Sequence, residues 1–315
     1  MQLSNKKGKV FTVNRKVQVI FIISTLILLC FPCVVYPQNA DKNTLSAIST
    51  FNMFHDPSYI TILGGIGNLE SLVFEADIVP YYTLSINRKA RWAIELSPRV
   101  LLRMYDSKSF PVRTPSFLPR VTFFYNIVDN SDNKRDWFAY FSWYHHSNGQ
   151  DGSFFNEDSC TINTLSGNFA TNFFEGGTFI SRPDKKRSFI INYHKISLSY
   201  CYHQSPELKS IYGRFRLFYD YNTSINLTNK ANHKSYLIQS LKLGWIAGDF
   251  GHAKAFDNKR VMFKYTLSYR PSFLEDISIF AQYYYGQDYY NIYFNRTLSV
   301  LRFGIAAKMS FNNNY

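Results

Sequence analysis

Cysteine is scarce in this chain of 315 residues: four in all, of which only Cys160 and Cys201 lie beyond the first forty positions. Two thiols make no disulfide framework, and the sequence leaves open whether they pair. After residue 40 no apolar run resembles a helix able to cross a bilayer. Helix-turn-helix, zinc-ligand and phosphate-loop spacings are also missing, and the basic residues are scattered through strands and turns. These absences argue against a nucleic-acid partner. His194 and His203 have no metal-ligand spacing and read as ordinary polar residues. The sequence has neither an internal repeat nor the composition shift of a second domain.

Acids are absent from the first stretch of the chain, where Lys6, Lys7, Lys9, Arg15 and Lys16 precede an apolar run from Val17 to Val35. That is the pattern of a signal peptide, with cleavage expected near Gln38 to Ala40; a retained transmembrane helix is the alternative. Cys30 lacks the small residues that precede a lipidated cysteine, which argues against a lipoprotein. Taking the five cations from the formal +13 leaves 13 − 5 = +8 for the remainder, a balance that favours anionic surfaces such as lipid head groups.

Aromatic residues are abundant, at 18% of the chain with 24 Tyr and 29 Phe, yet the mean hydropathy is −0.21. Transmembrane barrels combine these properties because outward apolar residues alternate with polar residues facing the lumen, and Tyr, Trp and Phe gather at the interfaces. Alternation recurs along the chain: Val261, Phe263, Tyr265, Leu267 and Tyr269 interleave with Met262, Lys264, Thr266, Ser268 and Arg270. Phe215 to Tyr221 and Leu301 to Phe311 repeat the pattern, each with the period of a strand. Further strand candidates lie at 68–76, 79–88, 91–104, 119–128, 136–148, 168–180, 187–203, 239–248 and 277–287, giving twelve with the three above. An even number of strands lets one chain close without a free edge. The expectation is an all-β protein, a 12-stranded antiparallel transmembrane β-barrel of the bacterial outer membrane. Residues 1–40 are assigned to the signal peptide and short leader, 41–57 to an N-terminal leader segment and 58–315 to the barrel. Phe311 and Tyr315 near the end of the chain are similar to the terminal aromatic signal of outer-membrane barrels. The competing architecture is a soluble β-sandwich, which would have to turn the charged face to solvent and bury an unusually aromatic core.

One segment carries chemistry. In Trp137 to Gln150, Trp137, Ala139, Phe141 and Trp143 share a face that His145 and Ser147 continue, while Phe138, Tyr140, Ser142, Tyr144 and His146 point the other way. Side chains two residues apart on a strand lie about 7 Å apart along the backbone and on the same face. Serine needs a base within hydrogen-bond reach, and that base needs a third group to hold its tautomer. If the apolar face meets hydrocarbon, His145 and Ser147 stand at the level of head groups, where phospholipid ester bonds lie. His146 reads as a lumen residue.

His145-His-Ser147-Asn148-Gly149 is similar to the His-x-Ser-Asn-Gly signature of outer-membrane phospholipase A. Ser109-Phe-Pro111-Val-Arg113, with Pro119 following, resembles that family's calcium-loop segment. Gln282 to Gly286 and Tyr293 to Thr297 resemble its penultimate strand and following loop, so the likeness runs from about Arg91 to the C-terminus. The resemblance implies a calcium-dependent phospholipase, hydrolysing acyl esters of membrane phospholipids on the outer wall of an integral outer-membrane barrel that works as a homodimer. It implies Ser147 as nucleophile, His145 as general base and an Asn on the next strand as third member, with Asn168 favoured and Asn163 as the alternative. It carries Ser109 and Gln150 over as Ca²⁺ ligands and leaves the second serine ligand open among Ser153, Asp151 and Ser159, with Ser153 preferred. The rival readings are a lipid A deacylase, for which Glu157 is the nearby third member, and a porin-like or structural barrel without chemistry.

Overall fold

A computed structural model describes residues 54–84, 91–128, 136–183, 190–227, 235–274 and 276–308. The expected signal peptide and cleavage region, and the terminal aromatics Phe311 and Tyr315, lie outside these residues. The strands are β1 Ser58–Thr61, β2 Leu72–Ile78, β3 Tyr82–Leu84, β4 Trp92–Tyr105, β5 Ser116–Val128, β6 Asp136–Ser147, β7 Ala170–Pro183, β8 Ile190–Gln204, β9 Phe215–Asn226, β10 Tyr236–Ala247, β11 Val261–Arg270, β12 Ile277–Gln287 and β13 Thr297–Ala307. From β4 to β13 each strand pairs antiparallel with the next, and β1 joins β13 to β2, which pairs on to β4. The sheet therefore closes on itself. A closed ring is the form in which strands can cross hydrocarbon, because no backbone N–H or C=O is left on an unpaired edge.

β2 and β3 pair with successive parts of β4, Ile78 opposite Val100 and Tyr82 opposite Leu96, so they form one wall strand interrupted around Pro80. Proline has no N–H to give the ladder. With β2 and β3 taken together the wall has twelve strands, as expected, but from a different set. The sequence reading begins the strands near residue 68 and separates 68–76 from 79–88; the structure begins with Ser58–Thr61 and joins the next two. Four residues are too few to display a period, and the proline break imitates a turn. The last strand lies at Thr297–Ala307 rather than 301–311, an offset of four that keeps every side chain on its expected face.

The wall has an apolar outside. Val121, Phe123, Phe141, Leu198, Leu217, Ile279 and Ile305 are among the exposed large hydrophobics. The inside is polar and ionic. Arg103 donates to Glu75 at 2.8 Å and to both Asp288 oxygens at 2.9 Å, and Arg302 adds a 3.5 Å ion pair to Glu75. Lys195 pairs with Asp220, and Arg120 with Glu95. Such charges leave water at a cost that only close pairing offsets, so removing one partner is more damaging than the pair is stabilising. The described end of the segment read as a leader also enters this lumen. Phe54 packs on Phe124, Tyr140 and Phe179 with centroids 4.7–5.2 Å apart, His55 pairs with Glu95 and Asp56 with Lys264. A cavity of about 200 Å³ remains, lined by Arg99, Tyr144, Glu175, Arg216, Lys242 and Phe294 among others.

The loops after β1, β4, β6, β8, β10 and β12 share one end of the barrel. The loop 288–296 is buried there: Tyr290, Asn291, Ile292, Tyr293 and Phe294 have at most 2% of their surface exposed. Tyr290 donates to the Arg113 carbonyl at 2.8 Å, Asn291 to that of Thr114 at 2.6 Å and Tyr293 to that of Thr164 at 3.5 Å. These bonds tie the loops after β4, β6 and β12 into one body at the end where β6 terminates.

Candidate active site

β6 alternates as the sequence predicts. Trp137, Phe141 and Trp143 are exposed on the outside, while Phe138, Tyr140, Ser142 and His146 are buried inside. His145 and Ser147 continue the outer row, both half-buried. The ladder to β7 is unbroken across them, with His145 opposite Asn172, His146 opposite Thr171 and Ser147 opposite Ala170. No bulge separates the two side chains. On the other side β5 keeps its register, from Arg120 opposite Tyr144 to Phe117 opposite Ser147.

The residue beside the imidazole is Asn172. Its Oδ1 lies 2.8 Å from His145 Nδ1. With Oδ1 accepting, His145 carries its proton on Nδ1, and the Nε2 lone pair is left to take a proton from a hydroxyl. The expected third members, Asn168 and Asn163, are bonded elsewhere. Asn168 precedes β7, is exposed, and its backbone amide donates to the Gly152 carbonyl at 3.0 Å. Asn163 organises the loop: its side chain donates to Ser153 O and Ser166 Oγ and accepts from the amides of Leu165 and Ser166. The physical reason is register, because only the residue directly across from His145 can reach Nδ1, and the long loop from Asn148 to Phe169 hides that register from sequence. The signal available was an amide on the outward face of β7, two positions before Phe174.

The turn after Ser147 is held by Asn148, which is buried. Its side chain donates to the Gly167 carbonyl and accepts from the amides of Phe169 and Gln150, while its own amide donates to the Phe169 carbonyl. The Gly149 amide between them makes no hydrogen bond among the described residues. Gly149 has φ +68°, a conformation that favours glycine.

The expected cation donors lie on two loops, Ser109 after β4 and Gln150 and Ser153 after β6. Ser109, at φ +69°, is exposed in the turn between β4 and β5. Gln150 follows the site strand, but Ser153 is exposed and its carbonyl already accepts from Asn163. Asp158 closes its own turn, accepting from Thr161 Oγ1 and from the amides of Thr161 and Cys160, bonds that hold its carboxyl below the usual range. Among the described residues no group of three or more His, Cys, Asp or Glu could hold a metal. A calcium ion takes six to eight oxygens, which carbonyls, hydroxyls and waters supply as well as carboxylates. Cys160 is exposed and Cys201 buried, and both are free.

No protein-family model matches the sequence, and no curated protein matches it in sequence. Solved structures do match in fold. The fold is similar to that of outer membrane phospholipase A. The Escherichia coli protein aligns with a TM-score of 0.55 and 12% identity over 85% of this chain and 99% of that one. An active-site Asn-to-Ala mutant of the same protein aligns with a TM-score of 0.55 and 11% identity over the same shares. The Salmonella typhi phospholipase, a dimer with bound calcium, aligns with a TM-score of 0.53 and 12% identity, again over 85% and 99%. The chain thus has the closed twelve-stranded barrel fold of these proteins. Its apolar wall is the surface a bilayer covers.

Proposed function

We propose that the protein is an outer-membrane phospholipase that hydrolyses acyl ester bonds of phospholipids at the outer wall of the barrel. The observation that carries this reading is the His145–Asn172 hydrogen bond of 2.8 Å on the lipid-facing side, beside Ser147. Ser147 Oγ attacks the ester carbonyl while His145 Nε2 takes its proton. Asn172 holds the imidazole in the tautomer that can do so and accepts from it more strongly once it is charged. The carbonyl oxygen, now negative, is met by the Gly149 amide, the donor that Asn148 leaves free. His145 then protonates the departing lysolipid oxygen, the C–O bond breaks, and Ser147 keeps the acyl group. Water, deprotonated by the same imidazole, releases the fatty acid and restores the serine.

None of these steps is routed through a cation. Completing an oxygen shell around Ser109 and Gln150 calls for donors from a second copy, so calcium binding and dimerisation belong together in this reading. The Asn-to-Ala active-site mutant and the calcium-bound dimer among the fold neighbours support it. The lipid A deacylase reading is weaker, because Glu157 is exposed in the loop and Asn172 occupies the position a third member needs. A porin-like role is disfavoured by a lumen crossed by buried ion pairs.

The test is release of fatty acid from phospholipid micelles by the detergent-purified protein, with Ser147→Ala alongside. Loss of activity in that variant, with modification of Ser147 by a sulfonyl reagent in the parent, supports the proposal. Full activity in Ser147→Ala ends it.

A further inference from the structure

The catalytic row does not stop at Asn172. The amide nitrogen of that side chain lies 3.2 Å from Nδ1 of His203 on β8. His203 should not be on the outer wall at all. Tyr200 faces outward opposite Phe174, so a regular strand would turn Tyr202 and Gln204 outward and His203 into the lumen. The register shifts between Asn172 and Phe173, which pair with His203 and Cys201, and Tyr202 is the extra residue. This bulge flips the strand's last residues and brings His203 across from Asn172, the re-aiming of a side chain for which bulges beside sites are known. Tyr202 is pinned outside by a 2.8 Å bond from Trp143 Nε1 and by stacking on Phe174 at 4.4 Å.

We propose that His203 is a positioning residue, an acceptor that sets which end of the Asn172 amide faces His145; the proposal rests on the reading of His145 and Ser147 given above. An amide between two imidazoles has two orientations. With Nδ2 donating to His203, Oδ1 faces His145 and the general base has its proton on Nδ1. Turned over, the amide donates to His145 Nδ1, the proton moves to Nε2, and the imidazole cannot accept from Ser147. A neutral His203 with its Nδ1 lone pair free selects the first orientation. Protonated, His203 becomes a donor there, demands Oδ1 and selects the second.

The groups around His203 are few. Asn172 faces it from β7, with His145 behind. On its own strand are Tyr202 and the Cys201 thiol, which donates to the His203 carbonyl at 3.5 Å. On the β9 side Arg214 is exposed and its carbonyl accepts from the Cys201 amide. Glu207 is exposed in the turn that follows β8.

The experiment compares a permanent acceptor, His203→Glu, with a permanent donor, His203→Lys, in the full-length protein on phospholipid micelles. At a pH where both imidazoles are neutral, His203→Glu should keep kcat within about threefold of the parent. His203→Lys should lose about tenfold or more with KM little changed, the population ratio that one hydrogen bond sets. Equal plateaus for the two variants overturn the proposal. If Ser147→Ala stays active in the same assay, the reading of the site fails instead, and nitrogen NMR of His145 still tests the inference. The neutral Nδ1–H form should dominate in the parent and in His203→Glu and give way to Nε2–H in His203→Lys; an unchanged tautomer refutes it.

Discussion

Replacing Asn172 by alanine isolates what the third member contributes. The side chain makes one bond to His145, at 2.8 Å, in a half-buried position on the outer wall. In the resting state that bond joins two neutral groups. In the transition state it joins the amide oxygen to an imidazolium, and hydrogen bonds to charged groups contribute about 1.5–3 kcal/mol to stability. The neutral bond contributes about 0.5–1.5 kcal/mol, so the difference is about 1–1.5 kcal/mol and losing it should cost about 5- to 13-fold in kcat, with KM little changed. Asn168→Ala, which removes an exposed side chain from the loop, should stay within about twofold. Asn172→Asp should recover much of the loss, since a carboxylate at the same atoms also accepts from Nδ1–H and favours the imidazolium. The assay is steady-state release of fatty acid from mixed micelles by the refolded proteins, each checked for the folded barrel's altered gel migration before boiling. A larger loss in Asn168→Ala than in Asn172→Ala would refute the register argument, and a silent Asn172→Ala would refute the role of the bond.

A serine-directed sulfonyl reagent should modify Ser147 in the parent and fail to do so in His145→Ala, as measured by peptide mass spectrometry; equal labelling of both would separate the serine from its base. Activity titrated with calcium should respond only at protein densities where copies meet in detergent, and a response at single-chain dilution would mean that one chain completes a cation site. Arg103→Met leaves Glu75 and Asp288 facing each other without their shared cation, so it should cost about 3–5 kcal/mol in urea unfolding from detergent. A stability loss below about 1 kcal/mol would mean that water already enters that network.

How far the sequence could be read depended on the range of the interactions involved. The two faces of β6 follow from alternation alone, and they place His145 and Ser147 outside without any knowledge of neighbours. The third member depends on a pairing across the loop from Asn148 to Phe169, and local pattern carries no information about that register. The bulge at Tyr202 is less accessible still, because it breaks the alternation from which the face of a strand residue is read. Ser58–Thr61 escaped notice because its role in closing the ring comes from its partners β13 and β2 rather than from its own four residues. The ion pairs of the lumen were foreshadowed only as a charged face, since their partners sit as far apart in sequence as Arg103 and Asp288.

The occupied bore has a consequence for where the lipid chemistry lies. Arg103, Glu75, Asp288 and the loop from Asp288 to Arg296 stand where a water column would otherwise run. Under the proposed function the lipid chemistry of each copy lies on its flank, apart from an interior crossed by buried ion pairs.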